Sequence, residues 1–332
     1  MVQQQITRKE LFSTVFAQQF SPCGNYLVAG NSLGKIAVYH ITNALSMNAA
    51  DNPKFPVNIF QAHNNCIYCM ASNDQFLITG GSKQIHGWAW KEVLHHTDPK
   101  PKWSLQPSSG TPFDTPETNS ITIDKEDESI IAGCGDNNVY VWDLSTGENT
   151  QTLRGHRDYV HTVSYLQKDR QVISGGEDGL VKFWDLRNAD CVEQIEPNKL
   201  EQAQRASLGA WVSCLDVSPS EDWMVCGGAA HLSVWHLRSK TSTATLDRPL
   251  SCPQVVKFED DFILSGGTEP AVFKWSINGE LRGRFPCTPK SYFSLEVNKT
   301  LNRVLAISGT SHQVDISTNF DYKAFSLQFR QS

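Results

Sequence analysis

The sequence predicts an all-β chain folded as a seven-bladed β-propeller, and three observations carry that prediction. Residues 153–187, LRGHRDYVHTVSYLQKDRQVISGGEDGLVKFWDLR, form one repeat unit with a Gly155-His156 pair, a Ser174-Gly175-Gly176 turn and a Trp184-Asp185 pair. Weaker copies recur along the whole chain, and a four-stranded blade of such a repeat takes roughly 40–45 residues. A chain of 332 residues accommodates about seven such units, and one unit cannot bury its own faces, so the copies must stack into a ring.

The elements follow in order. Aligned on the strand that carries the Trp-Asp pair, seven segments appear: KIAVYHI (35–41), IHGWAW (85–90), NVYVWDL (138–144), LVKFWDL (180–186), LSVWHL (232–237), AVFKWSI (271–277) and QVDIS (313–317). The first and last lack the tryptophan. Upstream of them lie second strands ending in small residues: YLVAGN, FLITGGS, SIIAGCG, QVISGGED, WMVCGGA, FILSGGT and VLAISGT. Apolar, β-branched runs separated by Gly-rich turns read as strand–turn–strand. A polar turn and an outer strand follow, as at Asn278-Gly279, where both residues tolerate the positive φ of a tight hairpin.

The expected organisation is an N-terminal segment, 1–11, with a short helix over 3–11, and one propeller domain over 12–330. Its blades are expected at 12–62, 63–107, 117–153, 154–196, 210–247, 252–286 and 291–329. Three connections are long. Residues 42–56 join the first two blades; 91–118 carry five prolines and one outer strand near Trp103; 190–210 include LEQAQRAS, expected as a short exposed helix. Loops on a rigid scaffold are where specificity resides. The ending YKAFSLQF (322–329) reads as the outer strand of blade seven. That blade is therefore expected to be contiguous, with the ring closed by side-chain packing between blades one and seven.

Composition narrows the function classes. The chain is 39% hydrophobic and 19% charged, and no apolar run approaches the ~20 residues of a membrane span. The opening MVQQQITRKELFSTVF has no apolar stretch of the kind a secretion signal needs. Nine cysteines, an odd number, fall mostly in strands (Cys69, Cys134, Cys214, Cys226), which points to free thiols in a reducing compartment. Net charge is −6, and basic residues stand singly, Lys100-Pro101-Lys102 being the densest group. Phosphate neutralisation supplies most nucleic-acid affinity, so direct, autonomous nucleic-acid binding is not expected. Without a basic cluster, nuclear import would ride on a partner.

The spacing of the Gly-His, Ser-Gly-Gly and Trp-Asp elements resembles a WD repeat. In that family a loop histidine, a second-strand hydroxyl, a turn aspartate and the third-strand tryptophan form a buried network. The resemblance implies that His156, Ser174, Asp178 and Trp184 form this network. The same residues suggest a hydrolase triad, with Ser174 as nucleophile, His156 as base and Asp178 as orienter. No G-x-S-x-G elbow accompanies them, so the structural reading is preferred and no enzyme activity is expected. Other blades keep fragments: His63 and Thr79 with Trp88 or Trp90; Asp136 and Trp142; Ser265, Glu269 and Trp275.

Cys66-Ile67-Tyr68-Cys69, after His63, suggests a zinc half-site or a redox pair. On a strand, positions 66 and 69 face opposite sides, and no second pair follows at zinc-ribbon spacing. His95-His96 near Asp98 reads as a solvated loop. No metal, cofactor or catalytic residue is expected.

Partner contacts are sought in the loops before each first strand. Asn64, Asn65, Arg157, Asp158, Tyr159 and Trp211 lie there, and an exposed aromatic among polar residues is a plausible anchor. Arg157 and Tyr159 lead this set. For Trp211 and Trp223 the competing reading is packing between blades.

Several stretches resemble the THO complex subunit 6 family: SPCGNYLVAGNSLGKIAVY (21–39), LRGHRDYVHTV (153–163), SGGEDGLVKFWDLR (174–187), DWMVCGG (222–228), LSVWHLRS (232–239) and NFDYKAFSLQF (319–329). DWMVCGG, WHLRS and YKAFSLQF carry the weight, because they are not generic repeat features. The resemblance implies a non-catalytic scaffold in the nuclear THO, or transcription-export (TREX), complex. That assembly couples transcription, mRNA processing and splicing to mRNA export. The resemblance also implies residence in nuclear speckles, coiled-coil THO subunits as neighbours, and self-association within a larger assembly. A second reading rests on Trp184-Asp185-Leu186-Arg187 and Trp235-His236-Leu237-Arg238. These resemble the W-D-x-R pattern of substrate receptors for cullin-RING ubiquitin ligases, with Arg187 and Arg238 as adaptor contacts.

Overall fold

In a computed structural model, which describes residues 8–46, 54–108, 116–124, 126, 128–205, 208–247, 252–300 and 303–330, the strands pair into seven four-stranded antiparallel sheets. Each sheet is a meander of consecutive strands. From first to last strand the blades span 15–61, 67–105, 118–154, 160–195, 212–246, 253–286 and 292–328. Within a blade, each strand has its own face pattern. The second strand of blade four, Gln171–Gly176, is buried after its first residue, whereas its outer strand, Asp190–Ile195, is exposed along most of its length.

The hydrophobic core is divided among the junctions between blades. Val15, Leu27 and Tyr39 of blade one meet Ala306, Val314 and Leu327 of blade seven. Val160, Val163 and Val172 of blade four meet Ile131, Val139 and Leu153 of blade three. Five further clusters fill the other junctions. Every blade thus needs both neighbours to remove its apolar faces from water.

Blade seven is one contiguous C-terminal sheet, and among the described residues no N-terminal strand joins it. Packing alone does not close the ring. The Gln18 amide reaches across the junction to donate to the carbonyls of Ala306 at 2.8 Å and Ser294 at 3.1 Å. The Tyr39 hydroxyl donates to the Gln328 carbonyl at 3.1 Å, and the Asn298 amide to that of Gly24 at 2.7 Å.

All seven first strands share one irregularity. Their pairing with the second strand slips by one residue near the start, leaving Phe16, Tyr68, Asn119, His161, Ser213, Gln254 and Phe293 outside the ladder. A bulge re-aims a side chain, and these seven line a central channel. Glycine is required where loops press together. At Gly34 φ is +74°, and a Cβ would lie 2.0 Å from the His63 carbonyl oxygen.

Three expectations need comment. Arg8–Leu11 is helical, while 1–7 lie outside the described residues. The 91–118 excursion holds a helix, Trp90–His95, and the outer strand Trp103–Leu105. Within LEQAQRAS (200–207), the described residues 200–205 do not form the expected exposed helix, and 206–207 lie outside the described residues. Pro197 opens a 3-10 turn over Pro197–Lys199. Ala203 is then buried, and its carbonyl accepts from His231 at 3.0 Å. That contact with blade five ties the segment down after a single turn.

Candidate functional site

Blade four brings His156, Ser174, Asp178 and Trp184 together. The ring nitrogen Nε2 of His156 lies 2.7 Å from Ser174 Oγ, and its Nδ1 lies 3.0 Å from both Asp178 oxygens. Trp184 Nε1 donates to Ser174 Oγ at 2.8 Å. Asp178 also accepts from the Arg157 amide at 2.9 Å and the Leu180 amide at 3.2 Å. Burial alone would raise the Asp178 pKa. The bonds from His156 and the Arg157 amide outweigh it and hold the carboxyl below its ordinary range. Ser174 is fully buried, so no substrate carbonyl can approach its oxygen. The arrangement ties the loop before the first strand to the turn after the second, and so holds Arg157–Tyr159 in place.

The other blades vary the theme. In blade two His63 Nε2 lies 2.7 Å from Thr79 Oγ1, which also accepts from Trp88 Nε1 at 3.0 Å. Trp88 is therefore the network tryptophan, and Trp90 donates instead to Ser72. Blade six keeps Trp275 to Ser265 at 2.9 Å. In blade three Asp136 takes the Tyr140 hydroxyl at 2.5 Å, while Trp142 stacks on Tyr140. Blade five has Cys226 where blade four has Ser174, and Trp235 donates to Ser233 at 2.8 Å.

A meander alternates its turns between two faces. The loops before the first strands and the turns after the second strands therefore share one face, here called the loop face. Asn64, Asn65, Arg157, Asp158 and Tyr159 are all exposed there, and Tyr159 is 53% accessible. Trp211 is on the same face but only half-buried. Trp223 starts a second strand at the opposite end and packs on His236, with centroids 5.0 Å apart.

Arg187 and Arg238 lie in turns after third strands, hence on the opposite face. Both are exposed, but only Arg187 is clamped. Its Nε donates to Asp185 Oδ1 at 2.8 Å and its Nη2 to Oδ2 at 2.5 Å. The Arg187 side-chain bond holds the Asp185 carboxyl down to about 2.

Cys66 and Cys69 turn to different blades. Cys66 Sγ donates to the Ser32 carbonyl of blade one, and Cys69 Sγ to the Thr118 carbonyl of blade three. Among the described residues, no cluster of three or more His, Cys, Asp or Glu is placed to hold a metal ion, and no helix is long and apolar enough to cross a membrane.

The bulge residues Phe16, Tyr68 and Phe293 were not among the sequence candidates. The available signal was positional: stacking VFAQ, IYCM and YFSL on their strand starts puts an aromatic second in each.

The sequence profile of the WD domain, G-beta repeat, matches residues 54–88, 147–185 and 202–236. Whole-length relatives exist among curated proteins. THO complex subunit 6 homolog of Danio rerio is 39% identical over 96% of this chain and 98% of its own length. THO complex subunit 6 of Homo sapiens is 40% identical over 97% of this chain and 94% of its own. The Drosophila melanogaster protein of that name is 31% identical over 95% of this chain and 89% of its own.

Proposed function

The chain belongs to the THO complex subunit 6 family, and from that premise we propose that it is a non-catalytic scaffold subunit of the nuclear THO complex. In this reading it supports mRNA processing and export through protein–protein contacts. The observation that carries the reading is a contrast within blade four. Its nucleophile-like serine is sealed inside a structural network, whereas the loop which that network holds presents Arg157, Asp158 and Tyr159 to solvent. A rigid ring with a firmly held, exposed aromatic suits docking of partner helices better than turnover of a substrate. Tyr159 is the proposed anchor, with Arg157 beside it and Asn64, Asn65 and Trp211 on the same face.

The net charge of −6 supports assigning RNA contact to other subunits. The test is affinity capture of the tagged chain from nuclear extract, with and without nuclease, followed by mass spectrometry. Recovery of THO subunits despite nuclease is the expected result. Loss of every THO subunit on nuclease treatment would contradict it. Recovery of a cullin-RING adaptor in their place would favour the ligase reading and direct mutation to Arg187 and Arg238.

A further inference from the structure

The seven bulge residues give the channel a lopsided mouth. Phe293, Phe16 and Tyr68 come from consecutive blades seven, one and two. Phe16 lies 5.0 Å from Phe293 and 5.8 Å from Tyr68 between ring centroids, tilted by 45° and 53°. At those distances the rings touch, forming one continuous aromatic wall. Asn119, His161 and Gln254, from blades three, four and six, supply polar groups on the remaining arc. The open channel behind this mouth has a volume of about 270 Å³.

Two carboxylates are fastened to this mouth. The Tyr68 hydroxyl donates to Glu117 Oε1 at 3.2 Å, and His161 Nε2 lies 2.7 Å from Glu177 Oε2. Burial, chiefly, pushes the Tyr68 phenol up to about 12, so it stays a donor at neutral pH. On the channel wall Asp216 and Glu296 lie around the Lys257 ammonium, which is 3.4 Å from Glu296. Among the described residues, neither Lys83 nor Arg157, the cations of the neighbouring loops, pairs with Glu117 or Glu177.

Three features therefore converge on one opening: a wall of three touching, mutually tilted aromatic rings, carboxylate acceptors at the rim beside Tyr68 and His161, and an excess of negative charge. A carboxylate would be repelled. An aliphatic side chain would leave the polar arc dehydrated and unpaired. A lysine would meet the charge but brings no plane to lie on the rings. A guanidinium stacks its face on an aromatic wall while its edge donates to acceptors in the same plane.

We propose that the mouth of the central channel is a socket for an arginine side chain presented by a segment of another protein. This goes beyond the assembly role proposed above and does not depend on it, because arginine binding is read on the full chain alone.

The test is fluorescence anisotropy of a labelled hexa-arginine peptide with the full-length protein at fixed ionic strength, with hexa-lysine as the equal-charge comparison. Two mouth variants are made: Phe16→Leu with Phe293→Leu, which keeps apolar volume but removes the π-faces, and Glu117→Gln with Glu177→Gln. A control, Glu148→Gln with Glu193→Gln, removes the same charge from exposed outer positions. The expected result is tighter binding of hexa-arginine than hexa-lysine, about tenfold weakening in each mouth variant, and no change in the control. Absence of binding, equal affinity for the two peptides, or equal loss in mouth and control carboxylate variants would overturn the proposal. If the leucine pair alters the circular dichroism spectrum, the glutamine pair against its control decides.

Discussion

A buried polar side chain in this ring either completes a chain of hydrogen bonds or costs stability. His156 sits between Asp178 and Ser174, and Trp184 closes the chain. His156→Ala leaves the buried Ser174 hydroxyl short of one partner and frees the loop, and should cost about 1–3 kcal/mol. A thermal melt of His156→Ala beside wild type checks this, an unchanged midpoint being the contrary result. Blade two lacks the aspartate and pairs His63 with His86, centroids 4.5 Å apart. Burial first, and then the neighbouring His86, hold the His63 pKa down to about 3. An unfolded histidine protonates near 6.5, so the folded chain resists a proton that the unfolded chain accepts. The stability from a neutral His63 is complete above about pH 6.5 and is lost as pH falls toward 3, at up to about 1.4 kcal/mol per pH unit. Asp178, held low in the fold, loses its contribution in the same direction further into acid. Urea midpoints at about pH 7.5 and about pH 5 should fall more in wild type than in His63→Gln. The thiols offer a further check. Cys23 and Cys191 are exposed, while Cys69, Cys134, Cys214 and Cys226 are buried. Burial raises the Cys69 and Cys214 thiols well above their ordinary range and pushes Cys226 up to about 12. At Cys23, bonds from Ser21 and Asn25 outweigh slight burial and lower the pKa. Cys23 should therefore react first with a thiol reagent on the native protein, and the four buried thiols only on unfolding.

At the scale of elements, the junction between blades one and seven is the place where the ring can fail. Unlike the other six it has no chain connection running across it, and among the described residues its hold comes from Gln18, Tyr39, Asn298, the Phe16–Phe293 contact and the apolar cluster containing Leu327 and Phe329. Leu327→Ala should cost about 2–5 kcal/mol, as for other buried leucines. Limited proteolysis should then cut first near the two termini; a wild-type digestion pattern would contradict this. The strands themselves were legible in sequence because their signals are local: alternating or β-branched apolar runs ended by Gly-Gly. The contiguous last blade was legible for the same reason, from YKAFSLQF. The bulges were not, because they are a property of pairing. A slip between Val160 and Thr162 depends on where Gly175 and Gly176 fall opposite, which no single strand reveals. Ser233 standing in for the Ser174 role, and Ala203 anchoring what reads as a helix, are likewise tertiary contacts. They override local propensity.

For the whole molecule, seven separate interblade clusters make a ring that presents two unlike faces. One carries the loops fastened by buried networks, with Tyr159 and Arg157 exposed. The other carries the turns with Arg187, locked onto Asp185, and Arg238. The scaffold account assigns partner docking to the first face. The most direct measurement compares capture of THO subunits by two full-length variants, Arg157→Ala with Tyr159→Ala and Arg187→Ala with Arg238→Ala, both shown to melt like wild type. The account predicts that the first pair loses the THO subunits and the second retains them. Undiminished capture by the first pair, with loss by the second, would contradict it.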